Sequence, residues 1–232
     1  ITMQYHQKYF HTLDQKENIT NEFFVVANSK DPKGFVKLGN ERVVDARLND
    51  ARFFWEKNKS QNLIKQISKL KSINYFEGLG SYFDKVQRMR KLGGMISDEM
   101  LISKDKVELS TSICKIDLIS DIVNEFPELQ GIMGGYFATS QGFDKDISLA
   151  ITEQYLPIGL VSKVPKKPFS VALSITDKIT ILFLNFDLLR LTRSANSEEI
   201  SLYNFFSKLI FNFSLDSISI ASSTTNSSFG FK

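Results

Sequence analysis

Lys115-Ile116-Asp117-Leu118, followed by Asn124-Glu125-Phe126-Pro127-Glu128-Leu129-Gln130-Gly131-Ile132-Met133-Gly134, is the stretch whose reading decides the fold. It reads as the end of one amphipathic helix, a corner, and the start of a second helix with glycines on its face. Proline is tolerated at a first helical position, where its missing N–H has no intrahelical partner, so Pro127 marks a start. Glu125 and Glu128 place negative charge near the positive end of that helix. Gly131, Gly134 and Gly135 fall on one helical face, where absent side chains let another helix approach closely. On physical grounds alone this is a tight helix contact in an α-helical core.

Working outward towards the N-terminus, the spacing predicts a helix from Asp105 to Asn124, capped by Asp105 and carrying Val107, Thr111, Cys114, Leu118 and Ile122 inward. A helix before it carries Leu79, Phe83 and Val86 and is expected to end at Gly93-Gly94. Its Lys85, Arg88 and Lys91 are spaced by three and form the clearest basic stripe in the chain. Leu63, Ile67 and Leu70 line a shorter helix. Val44, Leu48, Ala51 and Trp55 line a longer one from Gly39, with Asn40 as its cap and an Arg52–Glu56 pair on its solvent side. Further back, Phe23 to Ala27 reads as a buried strand, and Asp31-Pro32-Lys33-Gly34 as a turn.

On the other side of the corner, Ile147, Ala150, Ile151 and Tyr155 give a short helix that stops before Pro157, and a proline-marked loop leads to a last helix through Val171 and Ile175. Beyond Lys178 the composition turns to serine, phenylalanine and asparagine, and the stretch from Ala221 to Lys232 reads as disordered. No apolar run reaches the ~20 residues a spanning helix needs, because Asn185, Asp187 and Arg190 interrupt the best one.

Composition prunes the chemistry. The 232 residues carry a net charge of +3, which leans basic without indicating nucleic acid by itself. The single cysteine, Cys114, excludes an internal disulfide and fits a reducing compartment, with cytoplasm the default. The only histidines are His6 and His11, so a His-based triad or a Cys/His zinc site has no local partners. Neither a Walker-type loop nor a Gly-x-Gly-x-x-Gly fingerprint is present.

With these residues in view, the chain resembles the β subunit of the bacterial α2β2 glycyl-tRNA synthetase. The matching stretches are His6-Gln7-Lys8-Tyr9-Phe10; Val26-Ala27-Asn28; Gly39-Asn40-Glu41-Arg42-Val43-Val44; Ala46-Arg47-Leu48; Asp50-Ala51-Arg52-Phe53-Phe54; Leu79-Gly80 with Asp84-Lys85; Lys115 to Leu118; Glu125 to Gly131 with Met133-Gly134; Glu153-Gln154-Tyr155-Leu156-Pro157; and Asp177-Lys178. The resemblance implies a cytoplasmic component of glycine–tRNA ligase that binds tRNA(Gly) and the α subunit. ATP, with Mg, then acts at the α subunit; no cofactor is held by this chain, and neither membrane nor DNA is a partner.

It also implies a mainly α fold in three parts: residues 1–38 as a short α+β remnant of a synthetase-type domain, 39–180 as a helical domain similar to the HD phosphohydrolase fold, and 181–232 as a divergent Ser/Phe-rich tail. Asp117 and Asp177 resemble the aspartates of the HD metal site, but Lys115-Ile116 stands where a histidine would precede Asp117, so metal catalysis is not expected. The basic residues Arg42, Arg47, Arg52, Lys85, Arg88 and Lys91 are the candidates for tRNA phosphate contact. The family pattern stops after Lys178, which leads to the expectation of a fragment or a frame-altered copy. The alternatives are a metal-dependent HD-type phosphohydrolase and an inert helical interaction domain.

Overall fold

The computed structural model describes residues 1–76, 78–159 and 161–191, with side-chain surroundings up to residue 180. The expected Ser/Phe-rich tail lies outside the described residues beyond 191.

After a turn of π-helix (Met3–Gln7), strands β1 (Phe10–Leu13) and β2 (Ile19–Phe24) pair antiparallel, with Phe10 opposite Phe24 and His11 opposite Phe23. The second strand begins earlier than the apolar run Phe23 to Ala27 and ends before Val25, and it is not the buried strand expected: it pairs only with β1 in a two-stranded sheet, and Phe24 and Val26 are exposed. The turn at Asp31 is as expected: the Asp31 carboxylate accepts from the Lys37 N–H at 2.9 Å. Helix α1 (Phe35–Lys59) then starts four residues before Gly39, on Gly34. Asn40 is therefore inside the helix, where it accepts from the Tyr9 hydroxyl and donates to the Val36 carbonyl. Glu56 pairs with Lys59 and not with Arg52.

The helical body follows. Leu63, Ile67 and Leu70 sit on a helix, α2 (Leu63–Gln66), that tightens into a 3-10 turn (Ile67–Ser72). A minimal hairpin, β3 (Asn74–Phe76) with β4 (Gly80–Ser81), delivers the chain to α3 (Tyr82–Glu99). That helix opens on a capping box in which the Ser81 and Asp84 side chains each bond the other's backbone N–H. It does not end at Gly93-Gly94. Both glycines are buried mid-helix, and a Cβ on Gly93 would stand 3.1 Å from Val107 and Thr111 of the next helix. They are there for close packing, not as a stop.

The expected helix from Asp105 to Asn124 is three pieces: α4 (Lys104–Ile113), a 3-10 turn (Ile116–Ile119) and α5 (Asp121–Glu125). Ser103, not Asp105, caps the first, and Ser120 caps the third by accepting from the Val123 N–H. Val107, Thr111, Cys114 and Ile122 are nevertheless all buried, because each short piece keeps its own apolar side inward. Pro127 opens a single 3-10 turn (Pro127–Leu129), and the glycine-faced helix α6 (Ile132–Ser140) starts beyond it. Helices α7 (Lys145–Glu153) and α8 (Pro168–Leu191) complete the described chain. The core gathers Leu70, Met89, Ile113, Phe126, Phe137, Ile151 and Leu173, and Trp55 closes it from α1 by stacking on Phe137 at 5.4 Å between centroids. The protein is mainly α.

Candidate functional site

At the centre of the helical body lies a group of charges with almost no contact with water. Lys85 comes from the first turn of α3, Lys115 from the break after α4, and Asp177 from α8. The Lys85 ammonium is 2.7 Å and the Lys115 ammonium 3.0 Å from the same oxygen, Oδ1 of Asp177. Each ammonium also faces an aromatic ring, Lys85 that of Tyr75 at 4.6 Å and Lys115 that of Tyr155 at 4.0 Å. Ring faces carry the negative lobe of the π quadrupole, so each lysine is enclosed by favourable electrostatics on two sides.

Asp117 is 0% exposed and serves a different purpose. Its Oδ2 accepts from the backbone N–H of Gly131, the residue preceding α6. Gly131 has φ +82, a left-handed value that favours glycine, and it offers no capping side chain of its own. A carboxylate from fourteen residues upstream therefore caps α6 at its positive end. Gln130 donates to the Tyr155 hydroxyl, and Gln154 donates to the carbonyls of Cys114 and Ile151 at 2.8 and 2.9 Å. The corner, the α4 break and the end of α7 are thus stitched together around the two lysines.

Burial sets the proton affinities. It pushes Asp117 up to about 6, opposed by the Gly131 N–H and by Lys115. Burial alone would also raise Asp177, but the ammonium groups of Lys115 and Lys85 hold its carboxyl below the usual carboxylate range. Burial and the like charge of Lys115 push Lys85 down, against the pull of Asp177. The Cys114 thiol, wholly enclosed, is pushed up to about 12 by burial.

The basic residues singled out in the sequence separate into two kinds. Lys85 is 3% exposed and committed to Asp177, so the stripe of Lys85, Arg88 and Lys91 is not a solvent face. The spacing of three was read correctly, but the inward side of α3 runs through Lys85, Val86 and Met89. Arg88 is half-buried and donates to the Leu79 carbonyl at 3.1 Å. Arg47 pairs with Glu125 at 2.7 Å and lies over the Phe126 ring at 5.8 Å, which ties α1 to the corner. Arg42, Arg52 and Lys91 are exposed and have no ion-pair partner among the described residues. Arg42 and Arg52 are roughly 15 Å apart along α1, and Lys91 is on another helix. The fold brings Lys85, Asp177 and Asp117 together around Lys115 and leaves the exposed arginines apart.

The glycyl-tRNA synthetase β-subunit family model matches residues 1–195. The chain belongs to that family. Among similar proteins, the glycine–tRNA ligase β subunit of Thermodesulfovibrio yellowstonii is 39% identical over 179 residues, covering 76% of this chain and 26% of the relative. Those of Stutzerimonas stutzeri and Pseudomonas entomophila are 39% and 40% identical over 183 residues, covering 78% of this chain and 27% of each relative. The chain spans about a quarter of the length of these relatives.

A metal of the HD type does not fit this family member's cluster. Its two buried carboxylates are already engaged, Asp177 by two ammonium groups and Asp117 by a helix N-terminus. The histidines are elsewhere, His6 on Glu128 at 3.1 Å and His11 on Gln4 at 3.3 Å. Among the described residues, no three His, Cys, Asp or Glu side chains are grouped as a metal would require. Among the same residues, no helix is long and apolar enough to cross a membrane.

Proposed function

We propose that this chain acts as a β-subunit component of glycine–tRNA ligase, supporting the ATP-dependent attachment of glycine to tRNA(Gly) by binding the tRNA and the α subunit. The observation that carries this reading is the family match over residues 1–195, supported by 39% identity to glycine–tRNA ligase β subunits over 179 and 183 residues. On this reading ATP and Mg act on the α subunit, and this chain contributes surface and shape. The helical body is then an HD-like scaffold retained without its chemistry.

The phosphate contacts are assigned to Arg42, Arg52 and Lys91, the exposed members of the original basic set. Backbone recognition needs only positioned positive charge, and each phosphate neutralised adds close to one unit to the salt dependence of binding. Two measurements test the reading. Tagged chain should retain a glycyl-tRNA synthetase α subunit through purification, and charge reversal at Arg42, Arg52 and Lys91 should weaken tRNA(Gly) binding and flatten its dependence on salt. Failure to retain the α subunit, together with tRNA binding unchanged by the reversals at two salt concentrations, would leave an inert helical domain as the better account.

A further inference from the structure

Helix α1 packs on the helical body through Ala51, Phe54 and Trp55 and turns a second, continuous face outward. Along that face stand Phe35, Gly39, Arg42, Ala46, Asp50 and Phe53, all exposed. Their spacing of three and four keeps them on one side of the helix over roughly 27 Å. The rings at its two ends, Phe35 and Phe53, are 70% and 63% exposed, and the residues at 39 and 46 are small. Arg42 and Asp50 lie about 12 Å apart along the axis, too far to pair with each other. Neither has an ion-pair partner among the described residues.

This face is complementary to itself. Ala46 is its midpoint, with Arg42 and Asp50 each four residues away and Gly39 and Phe53 each seven. We infer that α1 is a self-association surface, on which a second copy of this chain lays the same helix antiparallel about a two-fold axis at Ala46. A two-fold contact requires that whenever one residue meets another, the reverse contact also forms. Here Arg42 of each copy meets Asp50 of the other, and Phe53 of each lies across Gly39 of the other. The small residues let the two axes come close, and within one chain nothing lies within 4 Å of a Cβ added at Gly39. An unrelated helix would have to carry an acid, a small residue and a base at matching positions in reverse order; a second copy carries them by symmetry. Pairing needs neither tRNA nor the α subunit. It does take Arg42 out of reach of a phosphate, so self-association and tRNA contact at that residue exclude each other.

The test is sedimentation equilibrium of the full 232-residue chain across the micromolar range, with circular dichroism to verify that each variant is folded. The native chain should pass from one copy to two as concentration rises. Arg42→Asp and Asp50→Arg, both at exposed positions, should each weaken pairing roughly a hundredfold, because two attractive contacts become repulsive. Mixed in equal amounts, the two variants should recover the dimer as one copy of each, since only the mixed pair sets opposite charges at both contacts. Isotope labelling of one variant identifies that species by native mass spectrometry. A native chain that stays monomeric, a native dimer that either variant leaves intact, or a mixture that pairs no better than the variants alone would overturn the proposal. A monomeric native chain whose retention of the α subunit is lost on Arg42→Asp would assign the face to that subunit, and is likewise a refutation.

Discussion

Two glycine-to-alanine changes in helices should shift stability in opposite directions. At Gly135, midway along α6, an added Cβ would stand 1.9 Å from the Thr152 hydroxyl and 2.8 Å from the Ser148 carbonyl oxygen, both on α7. The hydroxyl can rotate away, but the carbonyl belongs to the backbone, so the α6–α7 seam must open. Overpacking of this kind costs ~1–3 kcal/mol or more, against the ~1 kcal/mol an alanine gains over glycine in a helix. Gly39 is the control: it lies inside α1 with nothing within 4 Å of the added Cβ, so only the propensity gain applies. Gly135→Ala should therefore lose ~1–2 kcal/mol net and Gly39→Ala should gain ~0.5–1 kcal/mol. At ~2–4 °C per kcal/mol for a chain of this size, the two melting midpoints should differ by roughly 3–12 °C. Differential scanning calorimetry of both variants at one pH reads this directly. Equal midpoints, or a Gly135→Ala protein above the native one, would refute the close seam.

Three further outcomes are expected. Asp117 binds its proton more tightly folded, at about 6, than the ordinary 3.8; its contribution is full below pH ~4 and falls as pH rises through ~6, by up to ~3 kcal/mol. Asp117→Asn keeps an acceptor for Gly131 and should lack this pH dependence, so urea titrations of the two proteins at pH 4 and pH 7 should show native minus variant stability falling with pH; a constant difference would contradict it. Cys114, buried with its thiol pushed up to about 12, should react with a thiol reagent only on unfolding, and rapid stoichiometric labelling of folded protein would show the site to be open. Arg47→Ala breaks a half-exposed pair with Glu125 and a contact with Phe126, and should cost ~0.5–1.5 kcal/mol by chemical denaturation, mostly from α1 docking.

The mainly α architecture was legible because apolar periodicity survives interruption. Val107, Thr111, Cys114 and Ile122 are inward although one expected helix is three. The interruption itself is encoded in Ser103 and Ser120, cap residues that a continuous apolar stripe made easy to pass over. Gly93-Gly94 was misread because a stop and a close helix contact call for the same residue, and only the neighbouring Val107 and Thr111 decide between them. The site was legible in part. Asp117 and Asp177 were singled out through resemblance, and the place of Lys115 beside Asp117 was noticed as a departure from histidine. That Lys85 turns inward to share Asp177 was not legible, since a lysine among arginines on a helix ordinarily marks the wet side. The available signal was its position next to Val86 and one turn before Met89, both wholly buried.

The two lysines and their shared aspartate impose an order of events on synthesis. Lys85 and Lys115 leave the ribosome well before Asp177, which is the ninety-second residue after Lys85. Until α8 has emerged, α3 and the α4 break hold two like charges with no carboxylate from α8 to receive them, so the hairpin they form cannot close over its own interior. Domains generally mature from their N-terminal side as the chain is made. In this chain the shared counter-charge for Lys85 and Lys115 comes from the last described helix, so the early helices lack it until Asp177 is in place.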